Sequence, residues 1–363
     1  YPRNLTSPTY EYNEATQSWK PKTHYPIGDL KPERTDSWEV GLDMKLFKDF
    51  NLGLSWYLAN TFNQTFDPQI SVSSGYTTIY LQTGYVRNTG LELSLGYGHT
   101  WNNNFRWDSN FTLSHNKNKI KELVRDYVHP ETGELINKDR LDVGGLGKAR
   151  FILKEGGTLG DLYTQSDLKR DDNGMVDIDP TGIVAIENNL PDIKLGSVFP
   201  KANLAWSNHF SWKGISLSAL FTARIGGIVY SATEAAMDQY GVSERSALAR
   251  DNGGVLVNNR TLVDAQNYYT TIGSESGLPQ YYTYNATNVR LQEASIGYLI
   301  PRKWLGNVCD IQVSVIGRNL WMIYNKAPFD PESVATTDNY YQGIDYFMLP
   351  STRNIGFNVK INF

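Results

Sequence analysis

The chain has 363 residues, 40% of them hydrophobic and 13% aromatic, with a formal net charge of −4 at pH 7. That balance supplies no basic field for nucleic acid and no acidic tail. Cys309 is the only cysteine, which excludes an intrachain disulfide and a cysteine-built zinc site.

From the front, residues 1–36 are rich in Pro, Thr and Tyr and show no periodic pattern. Tyr1 opens no charged-then-apolar leader. Period-two alternation then begins and recurs to the last residue. Trp38, Val40, Leu42, Met44 and Leu46 alternate with Glu39, Gly41, Asp43 and Lys45. Leu52 to Leu58, Leu91 to Tyr97, Phe105 to Leu113, Leu204 to Phe210, Ile215 to Phe221, Ala294 to Ile300 and Ile311 to Val315 continue the pattern. The final stretch, Ile355, Phe357, Val359, Ile361 and Phe363, closes it. Helical periodicity is confined to 232–249. One apolar and one polar face per strand predicts an all-β chain.

Eleven strands are predicted, at 37–47, 49–62, 86–99, 103–117, 148–154, 159–167, 201–211, 214–224, 288–299, 309–319 and 353–363. Short connectors (48–49, 100–103, 155–158, 212–214, 301–309) alternate with long ones (63–85, 118–147, 168–200, 225–287, 320–352). A β-sandwich also alternates, but with shorter strands and short turns at both ends. Short turns at one end and long loops at the other describe a transmembrane antiparallel β-barrel. Mean hydropathy is −0.43, and no apolar run of about 18 residues exists for a spanning helix. Spanning strands show lipid only alternate residues, so that value is compatible with a barrel. Aromatics at strand ends, among them Trp38, Trp101, Trp212 and Trp304, fit interface girdles. An odd strand count puts the two chain ends on opposite sides, and the first strand needs a partner. The expectation is therefore that an N-terminal part of the protein lies outside this chain.

Six stretches in order resemble the SusC/RagA family of TonB-dependent outer-membrane transporters. They are "KPERTDSWEVGLDMKLF" (31–47), "YVRNTGLELSLGY" (85–97) and the Pro-Lys hairpin "SVFPKANLAWSNHFSWKGISLSALFTARIGGIVYS" (197–231). Then come "NVRLQEASIGYLIP" (288–301), "GRNLWMIYNKAPFDPES" (317–333) and "YFMLPSTRNIGFNVKINF" (346–363). The resemblance implies the C-terminal half, about 11 strands, of a barrel of about 22 strands. Short turns would be periplasmic and long loops extracellular. Residues 1–36 would be an extracellular loop remnant and 37–363 the barrel half. The plug, the TonB-box segment and the first barrel half have no counterpart here.

The resemblance further implies energy-dependent import of nutrient oligomers across the outer membrane of a Gram-negative, Bacteroidetes-like bacterium. The implied partners are a SusD-like surface lipoprotein lid, TonB acting through the plug, membrane lipid, and a second transporter–lid pair. No nucleic acid and no cofactor are implied. Glycan is the first expectation for cargo and oligopeptide the second; a passive structural or adhesive barrel is an alternative of another class.

No residues assemble a catalytic pattern. There is no Gly-x-Ser-x-Gly turn, and the five histidines lack metal-ligand spacing. "VGGLGK" and "KEGGTLG" do not join a strand to a helix as a phosphate loop must. In "DLKRDDNGMVDIDP" an EF-hand register fails because its first position is Lys169, leaving Asp171, Asn173, Asp177 and Asp179 as candidates for a different cation site. Arg224 and Arg318, on polar strand faces, either pair with neighbouring acids or orient cargo. Trp321, Tyr324, Tyr340, Tyr341 and Tyr346 are candidate lumen or loop contacts, because polar-tipped rings suit sugar or peptide surfaces. The alternation Ile355 to Phe363 resembles the signal that marks outer-membrane proteins for barrel insertion. Deleting Phe363 should lower the amount of inserted protein more than transport per inserted copy. Quantifying membrane-inserted protein beside uptake per copy separates the two, and a larger loss per copy would refute the assignment.

Overall fold

In the computed structural model the described residues are 10–13, 18–21, 24–25, 32–66, 78–79, 81–128, 133, 135–274, 276–336 and 341–362. Tyr340 and Phe363, both named above, lie outside them. Nine long strands form one sheet: β1 (Arg34–Leu46), β2 (Phe50–Phe66), β3 (Leu81–Thr100), β4 (Arg106–Glu122), β5 (Ala202–Trp212), β6 (Ile215–Ile225), β7 (Asn288–Ile300), β8 (Asp310–Asn325) and β9 (Asn354–Asn362). Each pairs antiparallel with its chain neighbour, so the sheet is an up-and-down meander. Connectors 47–49, 101–105, 213–214 and 301–309 lie at one end. Connectors 67–80, 123–201, 226–287 and 326–353 lie at the other.

The register aligns the alternation of all nine strands. One row runs Met44, Leu52, Leu95, Phe111, Trp206, Phe221, Leu291, Trp321. Another runs Phe210, Leu217, Ile296, Val315, Phe357. These side chains are exposed even mid-sheet, Ile296 at 56% and Leu217 at 47%. The opposite face is polar, as in the row Lys45, Asn51, Gly96, Asn110, Ser207. A sheet that leaves a whole apolar face uncovered, opposite a polar one, is inside-out for water and suited to lipid.

The sequence-based strand count is corrected here from eleven to nine. Residues 148–154 and 159–167 do not enter the wall. Ala149–Lys154 and Asp161–Thr164 pair with each other inside a separate four-stranded sheet, with Arg140–Leu146 and Ile193–Ser197 at its edges. The reason lies in their faces. Phe151, Ile152 and Leu153 are all fully buried, so both faces are covered, and a strand covered on both faces cannot present one to lipid and one to water. Removing this pair merges the connectors expected at 118–147 and 168–200 into one, and leaves the two ends of the meander on opposite sides as before.

Among the described residues, the hydrophobic core lies in the long connectors, not under the sheet. Phe151, Leu162, Val198, Tyr230, Leu278 and Tyr282 belong to one buried cluster. Among the described residues, the wall joins it through the upper ends of β2, β3 and β4, at Phe66, Leu81, Val86 and Ile120. Strands β3 and β4 therefore reverse polarity along their length. Leu93 and Leu113 are partners on the outer apolar face, whereas the higher partners Val86 and Ile120 turn inward to the cap core. The outer face at that height carries Arg87, Lys117 and Lys119. Three short helices, α1 (Ala232–Gln239), α2 (Glu244–Asp251) and α3 (Ala265–Ile272), complete the cap. They account for the helical periodicity read at 232–249.

The two faces predict opposite responses to one substitution. Phe111→Arg puts a cation on the lipid face and should destabilise the folded protein by about 2–4 kcal/mol, whereas Thr112→Arg on the wet face should cost well under half of that. Urea titration of the full-length protein reconstituted in lipid reads the difference; equal costs would contradict the assignment of faces.

Candidate functional site

The concave polar face holds two adjoining cavities. Its lower part encloses about 1030 Å³, lined by Asp43, Asn51, Arg106, Asp108, His209 and Glu293 among others. Its upper part encloses about 810 Å³, lined by Glu39, Ser55, Glu92, Asn203 and Arg224. Small residues keep the wall open, and acids and bases are mixed along it. Arg106 pairs with Asp108 two residues along β4, at 2.6 and 2.7 Å, and Ser55 donates to Glu39 at 2.7 Å. Above, Asn116 and Asn118 both donate to the Asn88 side-chain oxygen. Such a face can hold a polar solute by many exchangeable hydrogen bonds. Among the described residues, no group of three His, Cys, Asp or Glu could hold a metal.

The predicted site residues do not converge. Arg224 lies on the concave face, where its Nη2 donates to the Val198 carbonyl at 2.8 Å. It thereby holds connector 123–201 against the end of β6. The chain leaves β6 beside it through Gly226 and Gly227, both at positive φ (76° and 81°). A side chain at Gly227 would press on the Val198 and Phe199 carbonyls. Arg318 donates to its cross-strand partner Glu293 at 2.8 Å, which is the pairing alternative rather than a free guanidinium.

Trp321 and Tyr324 stand on the outer face. Trp321 is in register with Leu291 and Phe221, and Tyr324 with Val289 and Ala223. Their position near the long-connector end is that of an interfacial girdle, not of a lumen contact. Tyr341 packs 6.0 Å from the buried Phe151 ring, and Tyr346 lies edge-on to Phe347 at 5.2 Å. Ile355, Phe357, Val359 and Ile361 form the exposed face of β9.

The four cation candidates are spread over turns. Asp171 Oδ1 accepts from the backbone of Asn173 and Met175, and Asp179 Oδ1 from Thr181 and Ile183. The Thr181 hydroxyl, which donates to the same oxygen at 2.6 Å, and after it these backbone N–H groups hold the Asp179 carboxyl below its ordinary range. Asp177 pairs with Lys169 at 2.8 Å. Two eight-residue units, "DDNGMVDI" and "DPTGIVAI", each open on such a capped turn, pass through a positive-φ glycine (Gly174, Gly182) and bury a valine (Val176, Val184).

One functional cluster was not anticipated. Arg290 on β7 is almost wholly buried and binds Asp330 through two nitrogens, at 2.8 and 3.1 Å. Glu332 lies 3.4 Å from the same guanidinium, and Asn288 bridges Arg290 and Glu332. Burial would raise the Asp330 pKa, but the Arg290 hydrogen bond and the Glu332 backbone N–H bring it below the ordinary carboxylate value. The signal for this cluster was in plain view. Arg290 belongs to "NVRL" and Asp330–Glu332 to "FDPES", two of the six family-like stretches, and the fold makes them one contact. A second buried clamp ties the cap sheet, where Asp192 takes two bonds from Arg140 and one from Lys154. Those partners hold its carboxyl far below the usual range.

Comparison with known proteins places this geometry. A family model described as TonB dependent receptor-like, beta-barrel matches residues 6–320. TonB-dependent receptor P3 of Formosa agariphila is 25% identical over an alignment covering 93% of this chain and 35% of that protein. TonB-dependent receptor P26 of the same organism is 24% identical, covering 92% and 35%. The chain thus spans about a third of the length of these relatives. Among solved structures, the RagAB peptide transporter superposes with a TM-score of 0.69 at 18% identity, over 97% of this chain and 38% of that one. The same importer in its "open-open" state gives 0.64. At that identity the likeness is one of fold.

Breaking the Arg290 clamp should release connector 326–353. Arg290→Ala leaves Asp330 buried without its cation and should cost about 3–5 kcal/mol locally, against about 1 kcal/mol or less for Arg318→Ala at its exposed pair. Because Asp330 titrates below its unfolded value, its contribution is present at neutral pH and is lost as pH falls below about 4. Hydrogen exchange across 326–353 measures both effects; equal protection in Arg290→Ala and wild type would remove the clamp's role.

Proposed function

This chain belongs to the TonB-dependent receptor-like β-barrel family, and from that premise we propose that the whole protein imports nutrient oligomers across the outer membrane. The observation that carries the proposal is the two-faced wall, apolar outside and polar inside, topped by a separately packed cap. The nine strands are the C-terminal part of a barrel of about 22 strands, and residues 1–36 belong to an extracellular loop. Further sequence of the same protein supplies a plug, the remaining strands and the TonB contact. The long connectors form part of the cavity wall and the seat of a SusD-like lipoprotein, in a dimer of transporter–lid pairs. Cargo passes without chemical change.

Glycan is the cargo this face favours. Its upper rim offers several neutral amides and hydroxyls (Asn88, Ser114, Asn116, Asn118, Asn203), which exchange hydrogen bonds with sugar hydroxyls. An oligopeptide is the second candidate, favoured by the fold shared with the RagAB peptide transporter. Mass spectrometry of material co-purifying with the full-length transporter and its lipoprotein distinguishes them. A hexose ladder supports glycan, a peptide mixture supports the second candidate, and an empty cavity that stays empty after incubation with both would count against import.

A further inference from the structure

The outer face of β3 and β4 above the apolar belt carries a like-charge pair without a visible counter-ion. Arg87 and Lys119 are direct cross-strand partners on that face, and Lys117 sits one row below, opposite Thr89. Like charges directly opposite in a sheet destabilise it, so the arrangement calls for an anion. The partners of Arg87 are neutral: the Asn60 side-chain oxygen at 2.8 Å and the Tyr85 hydroxyl. Among the described residues, no carboxylate is within ion-pair distance of Arg87, Lys117 or Lys119. Asp36, which shares the Asp36, Asn60, Arg87, Lys119 row, is taken by Arg34 at 2.8 Å. Both lysines are exposed.

Height decides which anion. Leu91, opposite His115, is the last aliphatic residue of β3 and β4 on this face, and above the Arg87 row only the stacked Phe62 and Tyr85 rings follow, as in an interfacial girdle. Lys117 and Lys119 follow it by two and four residues, or roughly 5 and 10 Å along the membrane normal for a tilted strand. The headgroup layer occupies roughly 5–8 Å beyond the hydrocarbon. Lys117 therefore stands at the level of the lipid phosphates and Arg87 and Lys119 roughly 2 Å past it, a gap that their long side chains span, and the patch is continuous with the lipid-facing surface. Strands β3 and β4 are interior to the sheet, so no further wall strand can cover them. We propose that Arg87, Lys117 and Lys119 form a binding site for the phosphate groups of an anionic outer-leaflet lipid, with Arg87 preset by Asn60 and Tyr85.

The test uses the full-length transporter in neutral detergent micelles doped with bisphosphorylated lipid A, with retained lipid counted by native mass spectrometry. The variant Arg87→Gln/Lys117→Gln/Lys119→Gln should retain about tenfold less lipid or lower, while Lys117→Arg/Lys119→Arg retains it. Lys45→Gln, on the wet face, should change nothing. Heat-modified electrophoretic mobility establishes that each variant is folded. Equal retention by the triple variant would overturn the proposal. So would equal retention of lipid A stripped of its phosphates, which would mean acyl-chain packing alone, and so would displacement by millimolar inorganic phosphate, which would mean a free-anion site. Retained lipid is read independently of cargo, so failure of the import proposal leaves this result interpretable.

Discussion

Hydrocarbon offers no partner to a backbone N–H or C=O, and this one constraint organises the molecule. Each wall strand must therefore lie in a ladder, and the ladder's pleat sends successive side chains to opposite sides. The apolar row from Met44 to Trp321 and the polar row from Lys45 to Ser207 are two consequences of a single register. A slip of one residue in any pair would move an entire strand's apolar set into the lumen. The bulges are confined to the upper halves of β2, β3, β7 and β8 and to Leu220/Phe221. There the chain is leaving the belt and the demand on the ladder relaxes.

Above the belt the balance of forces changes. The cap buries Phe151, Leu162 and Tyr282 as a water-soluble domain would, and it fixes its few buried charges by pairing them. Arg290 with Asp330, Arg140 with Asp192, and Arg245 with Asp238 each join segments distant in sequence or successive helices. At the Asp238 site the Tyr282 hydroxyl also donates to the carboxylate, and burial with that neighbouring charge pushes the phenol well above its usual value. These pairs set geometry more than they add stability, since a buried ion pair roughly offsets its own desolvation. What they secure is the position of long connectors over the mouth of the wall.

How much of this was legible in the sequence follows from the same physics. Wall strands have a strict period of two because lipid and water act on opposite faces, so all nine could be placed within a few residues. Residues 148–154 also looked like a strand, and they are one. Their run "KARFILK" is apolar on consecutive positions, which marks burial on both faces and a sheet outside the wall. The site residues were less legible. Arg318 and Glu293 face one another in the register that runs unbroken from Ile300/Ile311, and the pairing shifts only beyond them, toward Leu291 and Trp321, where Asn319 takes a positive φ that no local pattern announces. Trp321 takes the outer face by plain alternation from Arg318, and Tyr324 joins it there through a second shift, between Val289 and Arg290. Arg290 and Asp330 are 40 residues apart, and only the fold turns two familiar stretches into one clamp.

The cap sheet has one further property. Connector 123–201 leaves the wall at the end of β4 and returns at the start of β5, adjacent strands about 5 Å apart. Everything between those two points can lengthen, shorten or be replaced while the wall register stays as it is, because only the spacing of the two ends is constrained. Natural selection can then revise the long-connector half of such a protein as an exchangeable cassette. The inherited barrel beneath would keep its register through every exchange.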